Sequence, residues 1–365
     1  MTPRPDSLLL DILKTPQNAG TLDPSQWGTL IHDARATNLL GSLAQRLEAG
    51  RVMVPPGPKR HLDGATQLGQ RQRRSVQWEV NQIHGALLPL QRPIVLLKGA
   101  AYVLGSHAAS LGRLFGDIDI LVDKATLGDV ESRLMLNGWV SAKASAYDQR
   151  YYRKWMHELP PMTNVKRGTV LDIHHNILPP TAKGKPDPQK IIARSIPIAD
   201  SSLPWIREPC REDLLIHSLT HLVHEGELGN GLRDLNDVDV MVRTCPDPSE
   251  FWSRFCEFAA SMQLSAQVAL GLTLAQRVFA TPVPEGVFKA LAPGASAPSG
   301  WLLRVYLRAL PGLFDKQPPW TSMLARWVIY VRAHALRMPL HLLVPHLLVK
   351  GFSRLAASKK REETP

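Results

Sequence analysis

Arg113-Leu114-Phe115-Gly116-Asp117-Ile118-Asp119-Ile120-Leu121-Val122 is the stretch on which the fold of this chain turns. Its Ile-Leu-Val run has the apolar, β-branched character of a buried strand, and the two-residue period of a strand puts Asp117 and Asp119 on one face at its start. Two carboxylates held that close repel each other, and one of them protonates unless a cation lies between them. Mg²⁺ suits such a pair: it takes oxygen ligands, keeps some waters, and shares its remaining positions with nucleotide phosphates. For an isolated Asp-x-Asp the alternative is an acidic turn that caps the next element. What decides between them is the company the pair keeps.

Upstream, Pro93 precedes Ile94-Val95-Leu96-Leu97, a short buried strand, and Lys98-Gly99-Ala100 forms the turn into a helix. Backbone N–H groups at such a turn attract phosphate, and Lys98 adds a point charge. Downstream, Val170-Leu171-Asp172-Ile173-His174 is a second apolar strand, with Asp172 and His174 on the same face. A third carboxylate is what a two-metal site needs: one cation activates the attacking hydroxyl while the other holds the triphosphate and the leaving pyrophosphate.

The periodicities around these motifs predict a strand at 94–97, a helix at 99–105, a strand at 118–122, a helix at 126–137, and strands near 148–156 and 168–177, an α+β core. The lead-in is helical: Trp27, Leu30, Ile31 and Ala34, then Leu39, Leu40, Leu43 and Leu47, recur at helical spacing as far as Gly50. Pro55-Pro56-Gly57-Pro58 breaks the pattern, and a second helical run follows from about Arg60 to Leu90. Beyond the Pro-rich loop at 179–188, helices are expected at Arg211–Glu225 and Leu232–Arg243, then several short ones. The expected organisation is an N-terminal helical region (1–90), an α/β core (91–205), a helical region covering the cleft (206–300) and a basic amphipathic helical tail (301–365).

Together, Leu96-Leu97-Lys98-Gly99-Ala100-Ala101-Tyr102, Arg113 ahead of Gly116-Asp117-Ile118-Asp119-Ile120-Leu121-Val122, Leu171-Asp172-Ile173-His174 and the helix with Leu232-Arg233-Asp234-Leu235-Asn236-Asp237-Val238 resemble a bacterial family of uncharacterised nucleotidyltransferases. That family is similar to the superfamily of DNA polymerase β. The likeness runs from roughly Trp27 to Val242 and leaves 250–365 outside. The turn departs from the superfamily's usual Gly-Gly or Gly-Ser: Gly99-Ala100 lacks a hydroxyl that would touch a phosphate.

The resemblance implies a polymerase β-like core with a mixed sheet, a Mg²⁺ site in which Mn²⁺ can substitute, and an NTP such as ATP as substrate. It implies Asp117 and Asp119 as metal ligands, Asp172 as metal ligand or general base toward the acceptor, and Lys98 and Gly99 at the β/γ-phosphates. Gly116, immediately ahead of Asp117, is a further nucleotide-binding candidate. Arg113 either reaches the phosphates or pairs with an aspartate. His174 stands behind the metal or is a strand histidine satisfied by a neighbour. Arg233 and Asp237 are weaker candidates, for which an i,i+4 ion pair on a helix surface is the simpler account.

His217, His221 and His224 recur at i, i+4, i+7 and are followed by Glu225. The spacing aligns three imidazoles on one helix face, where they either bind a transition metal, pack, or line the cleft with His221 foremost. The run lacks the glutamate that a zincin carries after its first histidine.

Bulk properties bound the function. A chain of 365 residues, 44% hydrophobic and 21% charged, buries a substantial core. Three cysteines, Cys210, Cys245 and Cys256, are too few for a disulfide framework and point to a reducing cytoplasm. No secretory signal is evident, and the longest apolar run, 327–352, is broken by Arg332, His334, Arg337, His341, His346 and Lys350. The net charge of +11 is concentrated: between 301 and 361, eleven lysines and arginines stand against Asp315 alone. With Trp301, Trp320 and Trp327, that segment suits RNA or tRNA, peripheral contact with an anionic membrane, or simply a solvated basic face. The expected activity is therefore Mg-dependent transfer of a nucleoside monophosphate from an NTP to a hydroxyl or phosphate acceptor, RNA among the candidates. The alternative is a non-catalytic nucleotide-binding or scaffold protein whose tail docks on membrane or nucleic acid.

Overall fold

The computed structural model describes residues 7–141, 146–182, 184–291, 300–310 and 318–337. The chain opens with helices α1 (Leu8–Lys14), α2 (Pro24–Ala36), α3 (Leu40–Ala49) and α4 (Pro56–Leu87). A mixed unit follows: β1 (Ile94–Leu97), α5 (Lys98–Leu104), β2 (Asp117–Leu121), α6 (Leu127–Leu136), β3 (Trp139–Ser141), α7 (Ala146–Trp155), β4 (Met162–Asn164), β5 (Val170–His174), α8 (Pro188–Arg194), β6 (Ile196–Pro197) and β7 (Ile206–Glu208). Helices close the fold: α9 (Arg211–His224), α10 (Gly231–Arg243), α11 (Pro248–Ser261), α12 (Ser265–Phe279), α13 (Glu285–Leu291), α14 (Gly300–Ala309) and α15 (Trp320–Arg337). The fold is mixed α+β, and its sheet continues through β7, past residue 205.

Local chemistry sets the helix starts. Asp23 and Gln26 form a reciprocal capping box ahead of α2, with Pro24 in its first turn. Pro56 and Pro58 open α4, so the Pro-rich stretch starts this helix four residues before the expected position; proline's fixed φ and missing N–H are harmless in a first turn. The strand expected near 148–156 is a helix, α7. Its aromatics share the composition of a strand, but Tyr147, Tyr151 and Trp155 recur every fourth residue and meet along one face, stacked and then edge to face, with ring centroids 6.4 and 6.0 Å apart.

The sheet has the order β3-β4-β5-β2-β1-β7-β6, with β2 parallel to β5 and antiparallel to β1, and β1 parallel to β7. The two-residue period sorts the side chains cleanly. Ile94, Leu96, Ile118, Ile120, Leu171 and Ile173 turn to one core, shared with α4, α5 and α6. Val95, Leu97 and Leu121 turn to the other, which is continuous with α1–α3 and α9–α15. Asp117, Asp119, Asp172 and His174 alternate with the first set, so they stand on the face that α9 covers. Among the described residues no helix is long and apolar enough to cross a membrane. The segment 338–365, most of the basic tail, lies outside the described residues.

Candidate active site

The β2–β5 ladder builds the centre. Asp119 lies directly opposite Asp172, Asp117 opposite Val170, and Leu121 opposite His174. Asp117 is exposed at the strand's start, whereas Asp119 is buried. Across the other ladder, Leu97 faces Asp119, which brings the next residue, Lys98, over the carboxylates. Lys98 adopts a left-handed φ of 43° at the strand–helix junction, and its Nζ donates to Asp119 Oδ1 at 3.1 Å. His174 Nε2 lies 3.0 Å from the same oxygen.

These contacts divide the carboxylates. Burial works against ionisation of Asp119, but Lys98 and His174 outweigh it and hold its pKa well below the usual carboxylate range. Asp117 is raised, first of all by the neighbouring Asp119 charge. Asp172 is pushed up to about 7, by burial first and then by Asp119 and Glu158. Its Oδ1 is buried with no hydrogen-bond partner among the described residues. Burial lowers Lys98, yet Asp119 and Asp117 prevail and keep it above its ordinary value.

Ahead of β2, the loop 111–116 is fitted tightly to its surroundings. Gly112 has φ +70°, and a Cβ on Gly41 of α3 would stand 2.3 Å from its carbonyl oxygen. Gly99 is likewise compelled: a Cβ there would approach the Phe115 ring to 2.8 Å. Arg113 pairs with Asp237 and lies 3.7 Å from Asp234, while Arg233 donates to Asp234 at 3.0 Å and to the Leu114 carbonyl at 3.5 Å. The expected i,i+4 pair between Arg233 and Asp237 is therefore replaced. Asp237 turns inward to Arg113 across elements, because Arg113 is buried and needs a counter-charge.

The carboxylates, Lys98, His174 and the arginine–aspartate pairs line one cavity of about 440 Å³. It brings together Lys98, Gly99, Arg113, Gly116, Asp117, Asp119, Asp172, His174, His221, Arg233 and Asp237. His224 also lines it, but His217 does not; burial holds His217 at about 3 and His224 at about 4, so both are neutral. The three α9 histidines do not gather their nitrogens around one point. Among the described residues, the group of metal-capable side chains whose ligand atoms all lie within 4.8 Å of one another is His157, Glu158 and His174. The three aspartates do not meet that distance as a set, and Asp119 Oδ1 is turned to Lys98 and His174.

The family model for uncharacterised nucleotidyltransferases matches residues 23–280, well over half of the chain. The chain belongs to that family. Membership makes it a nucleotidyltransferase by relationship. None of the curated proteins matches it. The matched span begins at the cap of α2 and ends just past α12, so it continues beyond the Val242 limit expected from the motifs. Within that added span α11 and α12 pack against α9, one wall of the cavity.

The cavity also contains groups that motif reading missed. His157, Glu158, Glu225 and Arg337 line it. Glu158 arrives through an isolated antiparallel bridge to His174 just after α7, where a strand had been expected. Arg337, at the end of α15, donates to Glu225 at 3.3 Å and brings the otherwise outlying basic segment to the cavity wall. No local sequence signal marks either residue; only the tertiary pairing does.

Proposed function

We propose that this family member transfers a nucleoside monophosphate from an NTP to a hydroxyl or phosphate of an acceptor in the cytoplasm, with Mg²⁺, or Mn²⁺ in its place. The observation that carries the reading is the register of β2 on β5, which sets Asp119 against Asp172 with Asp117 on the same face of a cavity that also holds Lys98 and Gly99. The donor set fits a hard cation: three carboxylates, two with raised pKa values, one with an orphaned buried oxygen. Asp117 and Asp119 would hold it, with Asp172 turned toward the acceptor, and when bound it supplies charge stabilisation at the phosphates and at the attacking oxygen.

The chain's own residues have separate tasks. Lys98 and the Gly99 backbone receive the β/γ-phosphates, and Gly99 leaves the approach open because no side chain stands beside Phe115. Arg113 and Arg233, anchored by Asp237 and Asp234, give the cavity fixed positive charge without losing their geometry. The acceptor oxygen attacks the α-phosphorus, the bond to pyrophosphate breaks, and the proton passes to Asp172, whose pKa of about 7 suits a general base.

A second groove of about 600 Å³ supports an anionic acceptor. Arg71, Arg74 and half-exposed Trp78 of α4, with Arg167, line it, and it meets the first cavity at Phe115, Gly116 and Asp117. Basic side chains beside an exposed aromatic suit a single-stranded RNA, with phosphates on the arginines and a base on the indole. Incubation with labelled NTPs, Mg²⁺ and cellular RNA tests the reading. Label should pass to an acceptor, fall at least a hundredfold in Asp117→Ala, and fall as salt rises. Nucleotide binding with no transfer to any acceptor in RNA or whole lysate would establish the non-catalytic alternative.

A further inference from the structure

We infer that His157, Glu158 and His174 form a binding site for a divalent transition metal, zinc by its donor set, distinct from the aspartate site and not dependent on the transferase reading. Backbone pairing fixes the three. Glu158 bridges His174 in antiparallel fashion, Leu159 N donates to the Ile173 carbonyl at 2.9 Å, and His175 N donates to the His157 carbonyl at 2.8 Å. Directly opposed residues of an antiparallel pair project to the same side, which aims Glu158 and His174 at one point.

The distances suit the ion. His174 Nδ1 lies 3.4 Å from Glu158 Oε2. Two ligands of a tetrahedral zinc, each at about 2.0–2.1 Å, stand about 3.3–3.4 Å apart. A ring nitrogen of His157 completes a set within 4.8 Å, and the two imidazole rings are 5.3 Å apart. Two imidazoles and one carboxylate form a donor set that zinc takes in open, three-ligand sites. All three residues line the cavity, so the fourth position faces it.

The hydrogen-bond accounting agrees. Nδ1 of His157 and Nδ1 of His174 are both buried with no hydrogen-bond partner among the described residues. His174 is 3% exposed, and its other nitrogen, Nε2, meets Asp119. A metal-bound histidine characteristically donates its second ring N–H to a carboxylate, which fixes the tautomer and leaves the opposite nitrogen for the ion. Burial also keeps His157 neutral, as a ligand must be. Without a metal, His174 would simply bridge Asp119 and Glu158. That arrangement makes no use of His157, so His157 separates the two readings.

Cobalt is the probe. The full chain, stripped with a chelator and held in millimolar Mg²⁺ to saturate the aspartates, is titrated with Co²⁺ and followed by its visible absorption. The expected result is one equivalent with intense bands of a four- or five-coordinate ion, displaced by Zn²⁺. Affinity should fall at least tenfold in His157→Ala and in Glu158→Gln, and persist in Asp117→Asn. Cobalt bands unchanged in His157→Ala, or lost in Asp117→Asn, would overturn the site. X-ray absorption of the zinc-loaded wild type covers the case in which a variant does not fold: two imidazoles in the shell support the assignment, and an all-oxygen shell refutes it. Failure here leaves nucleotidyl transfer untouched, because the transfer assay reads Asp117 and Mg²⁺ alone.

Discussion

Asp172 shows how one residue carries both stability and chemistry. Its carboxyl is pushed up to about 7 in the fold, against about 3.9 in an unfolded chain. Between those values the folded state binds the extra proton, so metal-free stability falls as pH rises from about 4 to 7 and stays low above it. The full shift corresponds to at most about 4 kcal/mol. Thermal melts of wild type against Asp172→Asn should differ progressively across that range. Mg²⁺ should raise the wild-type melting temperature more at pH 8 than at pH 5, and activity of the variant should fall between a hundredfold and ten-thousandfold. His224 has the opposite sign. Its pKa of about 4 lies below the unfolded 6.5, so its contribution is present above 6.5 and lost as pH falls toward 4. His224→Asn retains a donor toward the Thr220 carbonyl, which the imidazole Nδ1 meets at 3.0 Å, and should flatten the acid limb of urea midpoints between pH 6.5 and 4.

At the scale of elements, the loop 111–116 depends on a glycine that lies far away in sequence. Gly41 on α3 meets Gly112 backbone to backbone, leaving no volume for a methyl group. Gly41→Ala should shift the loop that carries Arg113, Phe115 and Gly116, destabilise the protein by about 1–3 kcal/mol in urea unfolding, and lower nucleotide affinity in parallel. Unchanged unfolding would show that α3 yields freely. This dependence also marks the boundary of what the sequence can tell. The strands around Asp117, Asp119 and Asp172 were legible because two-residue alternation is a local signal, whereas the register that sets Asp119 against Asp172 is seen only in the structure. Helix α7 was misread because Tyr147, Tyr151 and Trp155 have strand-like composition, and only their four-residue spacing favours helix. Gly41 against Gly112, Asp237 on Arg113 and Glu158 beside His174 are pairings between distant elements, which no local pattern encodes.

Across the whole molecule, the N-terminal and C-terminal helices share one apolar core. Leu30 of α2 and Ile329 of α15, each fully buried, belong to the same cluster, although α15 lies outside the matched family span. The inward side of α15 is held by polar bonds as well: Arg332 donates to the Val223 carbonyl at 3.0 Å and to Tyr306 Oη at 3.3 Å. Its outer side leaves Trp320 and Trp327 exposed. The described part of the basic segment is thus a wall of the fold, with Arg332 and Arg337 committed inward at Val223 and Glu225 while Arg304 and Arg308 stay exposed, rather than an appendage. Charge counting along the sequence could not distinguish a solvated arginine from one that reaches a buried carbonyl. A shared core makes a cooperative unit, so truncation of either end would remove support from α9 and with it one wall of the cavity. Leu30→Ala and Ile329→Ala should each destabilise by about 2–4 kcal/mol. Both should lower the midpoint of one and the same transition, with far-ultraviolet circular dichroism and tryptophan fluorescence coinciding. Two separated transitions, with Ile329→Ala moving one and Leu30→Ala the other, would show instead that α15 unfolds independently and that the cavity survives without it.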